Sequence, residues 1–157
     1  MAAESYHTIP AHNGLPELTV LYTSDEAEIA EFLVGWKDAY HLGLDMEWRP
    51  VLMKGQHSCA ALLQICAGPW VLIVDLLPFR KRRPPVLPDC LWSFLEGEDR
   101  TFYGMGLLED AARLAFELDC VIDAVDFAKR AWPELTLGGG LAGVANKFLG
   151  TEVTQSK

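Results

Sequence analysis

The sequence predicts a single α/β domain built on a mixed sheet, and two observations carry that prediction. Three extended segments in the middle of the chain are joined by short connections, which is typical of an antiparallel meander. Segments with helical periodicity alternate with strand-like segments on either side of them, which favours parallel strands and flanking helices. A chain of 157 residues is long enough for one such domain with one core.

Composition and charge exclude several classes of protein. Hydrophobic residues make up 50% and charged residues 22% of the chain, which excludes disordered and collagen-like proteins. The net charge of −9 argues against binding nucleic acid through charge alone. The four cysteines match no zinc-binding spacing, and neither a transmembrane run nor a secretory signal is present. We therefore expect an intracellular soluble protein of the nucleus or cytoplasm, with no membrane partner.

The first elements are predicted to be an arm, a strand and a helix. Residues 1–16 show no periodicity and are expected to form a flexible N-terminal arm. Leu18 to Thr23 is rich in β-branched and aromatic residues and predicts a strand, while Thr23 and Glu26 form a capping box. The apolar stripe that predicts the helix consists of Ile29, Phe32, Leu33, Trp36 and Tyr40.

The meander is predicted over residues 41–48, 60–67 and 70–77. In the first of these strands, Leu42, Leu44 and Met46 lie on one face and Asp45 and Glu47 on the other. Only Gly68-Pro69 joins the second strand to the third, so these two strands form an antiparallel hairpin. The residues between the first two strands, VLMKGQHS, are predicted to form a loop.

The second half of the chain alternates between helices and one strand. Asp89 can cap a short helix, and Thr101 to Gly106 predicts a strand. Helical stripes follow at 107–118, 121–132 and 141–149, the last with Gly150 as its C-cap.

The chemically informative residues are acids near two strand ends. Asp45 and Glu47 stand two positions apart on a strand, which places their side chains on one face about 7 Å apart. This arrangement suits Mg²⁺ or Mn²⁺, although two surface acids on a strand edge would look the same. Asp110 opens the helix after Gly104 and Gly106, where it would also favour the helix dipole without any ligand.

Taken together, these segments resemble the DEDD 3′–5′ exonucleases of the ribonuclease H-like fold, most closely the Werner-syndrome-type domains, including small stand-alone plant members. The resemblance rests on LGLDMEWRP, ALLQICAGPWVLIVDLL and FYGMGLLEDAARL, and covers residues 17–152, leaving a tail of 153–157. The first family motif matches Asp45, Glu47, Trp48 and Pro50. The second motif matches Gly104, Gly106 and Asp110, and LAGVANKFLG resembles a later family helix.

The resemblance implies a site that holds two Mg²⁺ or Mn²⁺ ions around the scissile phosphate of a DNA or RNA 3′ end. Asp45, Glu47 and Asp110 would be the catalytic residues and metal ligands. Met46, Trp48 and Leu107 stand where the family packs the terminal base and sugar, although Trp48 can equally be a core residue.

A basic loop is the second candidate for nucleic-acid contact. Arg80, Lys81, Arg82 and Arg83 hold four of the thirteen positive charges. They can contact phosphates or serve as a nuclear-import signal. A solvated, proline-rich loop without a ligand is the alternative.

The third family motif, a Tyr-x-x-x-Asp on a further helix, finds no match after LAGVANKFLG. In the family its Tyr orients the attacking water and its Asp ligates a metal. We therefore expect a fold truncated before this motif, lacking the family's last helix, with weak or no exonuclease activity by itself. The missing helix would leave an apolar face of the sheet uncovered, and we expect a second copy of the chain or a different protein to cover it. The alternatives for function are a non-catalytic protein-interaction or regulatory module and a piece of a longer active enzyme.

Overall fold

A mixed sheet organises the part of the chain that the computed structural model describes, which comprises residues 6–11, 15–48, 60–81, 87–107, 121–123, 130, 133 and 140–150. Its strands are β1 (Tyr6–Ile9), β2 (Leu18–Thr23), β3 (His41–Trp48), β4 (Ala60–Ala67), β5 (Trp70–Asp75), β6 (Thr101–Gly104) and β7 (Val121–Asp123). The helices among these residues are α1 (Glu26–Val34), α2 (Leu77–Arg80), α3 (Asp89–Leu95) and α4 (Gly140–Leu149).

The strand order is β1-β2-β5-β4-β3-β6-β7. Strands β3, β4 and β5 form the antiparallel meander, while β2 pairs with β5, β6 with β3, and β7 with β6 in parallel. The prediction of a mixed sheet with a three-strand meander and parallel strands is therefore confirmed.

The hairpin between β4 and β5 turns at Gly68-Pro69, as its length predicts. Gly68 has φ +56°, a left-handed conformation that glycine adopts without steric cost. The carbonyl of Pro69 accepts a hydrogen bond of 2.9 Å from the backbone N–H of Thr19, which ties the turn to β2.

The core lies between one face of the sheet and the helices α1 and α3. Fully buried side chains from the sheet include Leu21, Leu63 and Leu72, and they pack with Ile29 of α1 and Leu91 of α3. Side chains on the other face, such as Leu62, Val71 and Ile73, are only half-buried. The sheet therefore has one dry face and one wetter face.

The start of α1 differs from the predicted capping box. Asp25 is the N-cap, and its carboxylate accepts from the backbone N–H groups of Ala27 at 2.9 Å and Glu28 at 3.1 Å. The hydroxyl of Thr23 instead accepts from the N–H of Asp25 and donates to Glu28. The helix thus begins two residues later than a Thr23 cap requires.

The end of α1 also differs from the apolar stripe. The helix ends at Val34, so Trp36 and Tyr40 lie beyond it, Trp36 buried and Tyr40 exposed. Gly35 follows at the C-cap in a right-handed conformation, and the N–H groups of Gly35 and Trp36 bond to carbonyls three residues earlier, which tightens the end of the helix.

Two short strands were not predicted. Residues 6–9, in the segment expected to be a flexible arm, form the edge strand β1, antiparallel to β2. Val121–Asp123, assigned from the sequence to a helical stripe, pairs in parallel with β6 as β7. Backbone hydrogen bonds to a neighbouring strand define both, and segments of three or four residues are too short to show a periodicity.

Other boundaries move by a few residues. Strand β5 stops at Asp75, whose carboxylate accepts from the N–H of Leu77 at 2.9 Å and so starts α2. The N-cap of α3 is Pro88 rather than Asp89, and β6 ends at Gly104. The predicted loop of residues 51–58 and most of the stripes at 107–118 and 121–132 lie outside the described residues.

The last predicted helix is confirmed as α4. Gly150 follows it with φ +62°, the left-handed conformation expected at a glycine C-cap. Among the described helices, no helix has the length and apolar character needed to cross a membrane.

The contact between β6 and β3 generates a stability prediction. A Cβ on Gly104 would lie 2.3 Å from the carbonyl oxygen of Leu44 and 2.7 Å from Cδ2 of Leu107. We expect Gly104→Ala to lower the free energy of unfolding by about 2–3 kcal/mol, because the backbone of a central strand has to move. Gly106→Ala, at φ +70° with open space around it, should cost only about 1 kcal/mol. Urea unfolding compares the two variants, and equal losses would contradict the prediction.

Candidate functional site

Strand β3 presents its two acids on the face of the sheet that is away from the core. Asp45 and Glu47 are exposed, while Met46 between them is 3% exposed and belongs to the core. Strand geometry places the two acidic residues about 7 Å apart on the same side. The structure therefore brings Asp45 and Glu47 together as predicted from their spacing.

Neither carboxylate is neutralised within the described residues. The ion pair found there joins Lys37 to Asp38 at 4.0 Å, and both side chains are exposed and precede the start of β3. No group of three or more His, Cys, Asp or Glu side chains comes together in that part of the chain. Asp110 lies outside it, so its place beside the pair stays a prediction.

The turn after β6 lies next to β3. Gly104 approaches the carbonyl of Leu44 so closely that only a residue without a side chain fits between them. Gly106, with φ +70°, then turns the chain into Leu107, which is 1% exposed. Both glycines of the second motif thus have backbone roles, and this turn leads toward Asp110 three residues further on.

A β-bulge ends the regular pairing of β3 beside the acids. Glu47 is opposite Leu62, whereas Trp48 is opposite Ala60, so Ala61 has no partner on β3. The carbonyl of Ala61 accepts from the N–H of Leu76 at 2.8 Å instead. Trp48 is 39% exposed, which favours the surface role over the core alternative.

The remaining residues predicted to contact a substrate differ in how exposed their side chains are. Met46 and Leu107 are 3% and 1% exposed, so their side chains pack in the core, and their contact with a substrate stays a prediction. In the basic loop, Arg80 is half-buried at the end of α2 and Lys81 is exposed. Arg82 and Arg83 lie outside the described residues.

The basic loop begins at the same end of the strands as the acidic residues. Leu62 of β4 is opposite both Glu47 of β3 and Asp75 of β5, so the two acids lie in one cross-strand row, on either side of Leu62. Helix α2, which carries Arg80, starts two residues after Asp75. Asp45, Glu47 and the start of the basic loop therefore lie at the same end of their strands.

A tyrosine at this edge had no signal in the sequence. The hydroxyl of Tyr22 on β2 donates to Asp75 at 3.4 Å, across the parallel pair of β2 and β5. The carboxylate of Asp75 also accepts from the backbone N–H of Leu77, so it already has two partners. The pairing arises from residues 53 positions apart, which periodicity cannot show.

Solved structures resemble this chain over most of its length. The EXD2 exonuclease domain aligns with a TM-score of 0.60 at 26% identity, covering 86% of this chain and 71% of that chain. The same domain in crystals soaked in Mn and GMP aligns with a TM-score of 0.60 at 24% identity, covering 84% and 70%. Escherichia coli RNase D aligns with a TM-score of 0.67 at 17% identity, covering 87% of this chain and 35% of that chain.

These neighbours are DEDD-type 3′–5′ exonucleases with a ribonuclease H-like fold, so the predicted fold and the resemblance are confirmed. No family model matches the sequence, and no curated protein does. The chain is thus an exonuclease-like domain. The finer likeness to Werner-type domains stays a prediction.

The bond between Tyr22 and Asp75 generates a pH prediction. Burial, and next the negative charge and hydrogen bond of Asp75, raise the pKa of the Tyr22 phenol above its ordinary value of 10.0. A group whose folded pKa is raised contributes stability that is lost as pH rises through the folded value. We therefore expect the wild type to lose more stability above about pH 10 than Tyr22→Phe does. Alkaline urea titrations measure this loss, and identical pH profiles would contradict the prediction.

Proposed function

We propose that this chain is a nucleic-acid-binding, 3′–5′ exonuclease-like domain that holds Mg²⁺ or Mn²⁺ through Asp45, Glu47 and Asp110. The observation that carries the proposal is the display of Asp45 and Glu47, unpaired within the described residues, on the exposed face of β3. Two adjacent carboxylates without a cationic partner repel each other, and a divalent cation between them removes that repulsion.

The donor set fits a hard cation. Carboxylate oxygens are the ligands that Mg²⁺ and Mn²⁺ prefer, and the exposed pair leaves room for water in the remaining coordination positions. Asp110 follows Leu107 by three residues, a reach of at most about 11 Å, which supports its addition to the pair. EXD2 exonuclease domains were solved from crystals soaked in Mg and in Mn, which supports the same metals here.

The surroundings of the pair support a nucleic-acid strand as the ligand. Trp48 offers an exposed ring beside Glu47, and an aromatic face stacks on a base. Arg80, half-buried at the end of α2, and the exposed Lys81 follow Asp75 in the chain and are proposed to contact phosphates, with Arg82 and Arg83 next in the sequence. A bound cation offsets the acidic pair, so the net charge of −9 does not by itself oppose this partner.

The proposed reaction is hydrolysis of the terminal phosphodiester by water. Asp45 and Glu47 would hold the cations, which activate water and stabilise the leaving 3′ oxygen when bound. Trp48 and the basic loop would orient the strand so that its last phosphate lies over β3. No Tyr-x-x-x-Asp follows LAGVANKFLG in these 157 residues.

A non-catalytic interaction module is the second candidate. Leu62, Val71 and Ile73 lie on the same sheet face as the acids and are only half-buried, although they are large and apolar. A second copy of the chain or a different protein packed there would remove this surface from water. Such a module has no requirement for metal, and metal binding therefore separates the two candidates.

The proposed metal site generates a prediction about thermal stability. We expect Mn²⁺ to raise the melting temperature by several degrees, because a ligand at a hundred times its Kd adds about 2.7 kcal/mol and each kcal/mol adds about 2–4 °C. Asp45→Asn and Glu47→Gln should each remove most of the shift. Differential scanning calorimetry with and without Mn²⁺ gives the measurement.

Asp38→Asn is the matched control, since it removes the same charge at an exposed site outside β3. It should keep the full shift. Loss of the shift in Asp38→Asn, or its survival in Asp45→Asn, would contradict the metal site. No shift in any variant would favour the interaction module.

The proposed reaction generates a prediction about the rate of catalysis. We expect a polypeptide of these 157 residues to trim DNA and RNA in the 3′–5′ direction with Mn²⁺ at least about a hundredfold more slowly than the EXD2 exonuclease domain assayed alongside, because these residues contain no match to the third motif. Labelled oligonucleotides resolved by length report the rate. Turnover equal to that of the EXD2 domain, and abolished by Asp45→Ala, would overturn it.

A further inference from the structure

A concave site separate from the acids lies at the opposite end of the strands from Asp45 and Glu47. It is a cavity of about 330 Å³ lined by Tyr6, Phe32, Gly35, Trp36 and Trp70. Trp70 begins β5 and Asp75 ends it, so the cavity and the acidic edge are about 16 Å apart along this strand. The cavity is therefore separate from the proposed metal site.

The walls of the cavity are aromatic rings arranged around Phe32. The ring of Trp36 lies 4.8 Å from that of Phe32 at 75°, and the ring of Trp70 lies 6.4 Å away at 71°. Tyr6 completes the set at 6.3 Å and 32°. Rings from three separate segments thus face one space, two of them nearly perpendicular to the central ring.

The inner wall is held in place by packing. Trp36 is 7% exposed, and its ring lies 6.3 Å from that of Phe94. The guanidinium of Arg100 in turn lies 4.3 Å from the centre of the Phe94 ring. Tyr6 and Trp70 are 54% and 46% exposed, so the outer walls are accessible to a ligand.

The chemistry of the lining selects the ligand. Four rings and a glycine line the cavity, and their π faces dominate it, with the Tyr6 hydroxyl and two indole N–H groups as the polar side-chain groups. None of these side chains carries a positive charge, so an anion would find no cationic partner in the lining. The faces of aromatic rings attract cations, and a methylated ammonium suits them because its charge is spread over an apolar surface.

The charge around the cavity favours the same ligand. Phe32 stands on α1 next to Glu31 and four residues after Glu28, and the nearby Lys37 is paired with Asp38. The whole chain carries a net charge of −9. A cation is therefore drawn toward this surface, and an anion is repelled from it.

We propose that this aromatic cavity binds a quaternary or methylated ammonium group. The group can belong to a free molecule such as choline or to a methylated lysine side chain of another protein, since both present the same headgroup. A volume near 330 Å³ fits such a headgroup.

Ligand-observed NMR on the full chain tests the proposal. We expect choline to bind saturably, with its methyl protons shifted upfield by the rings. The neutral isostere, in which a carbon replaces the nitrogen, should bind at least about tenfold more weakly. Trp70→Leu should weaken choline binding by about tenfold, and Trp70→Phe by less. The matched control is Tyr40→Leu, which removes an exposed ring outside the cavity and should leave binding unchanged.

Two peptides that differ only in trimethylation of one lysine distinguish the sources. Binding of the methylated peptide more tightly than choline assigns the site to a protein ligand, and equal binding assigns it to a free molecule; both outcomes support the ammonium site. Equal binding of choline and its neutral isostere would overturn the proposal, as would the absence of any saturable shift. Tyr6→Leu, at a more exposed wall, repeats the test if Trp70→Leu loses its fold by circular dichroism.

Discussion

Burial of alternate side chains along β3 is the constraint on which the rest of the structure depends. Leu42, Leu44 and Met46 are each less than 5% exposed, and the strand is paired on both sides, with β4 and with β6. A register slip of one residue would turn Asp45 and Glu47 into the core and the apolar residues out of it. Burying two unpaired carboxylates is strongly unfavourable, so the packing of the core and the display of the acids enforce each other.

Local patterns predicted the centre of the sheet well. The alternation in β3 and the two-residue connection between β4 and β5 are properties of consecutive residues. The structure has β3 and β4 at the predicted positions. Strands β1 and β7 escaped prediction because their pairing with a neighbouring strand defines them, rather than a pattern within their own three or four residues. The cap of α1 moved from Thr23 to Asp25 because three adjacent residues, Thr23, Ser24 and Asp25, can all act as caps.

The candidate site likewise has features that local sequence predicts and features that only the fold brings together. The common face of Asp45 and Glu47 followed from the strand period. The sequence marked Gly104 and Gly106 as motif positions, and the structure adds the close approach at the first and the positive φ at the second. The bond between Tyr22 and Asp75 joins separate strands and carries no local signal. The aromatic cavity is further from prediction still, because its rings come from β1, the α1 region and the start of β5.

The edge strand β1 links the cavity to the dynamics of the chain. All four side chains of Tyr6–Ile9 are exposed, so the strand is held mainly by its hydrogen bonds to β2, and such segments open locally at a small fraction of the global unfolding free energy. Tyr6 forms one wall, so the cavity loses that wall each time the strand detaches. Ligand occupancy would then slow amide hydrogen exchange at residues 6–9 far more than in the meander. For the same reason, a bulky fusion at the N-terminus would perturb this cavity while leaving the acids of β3 untouched.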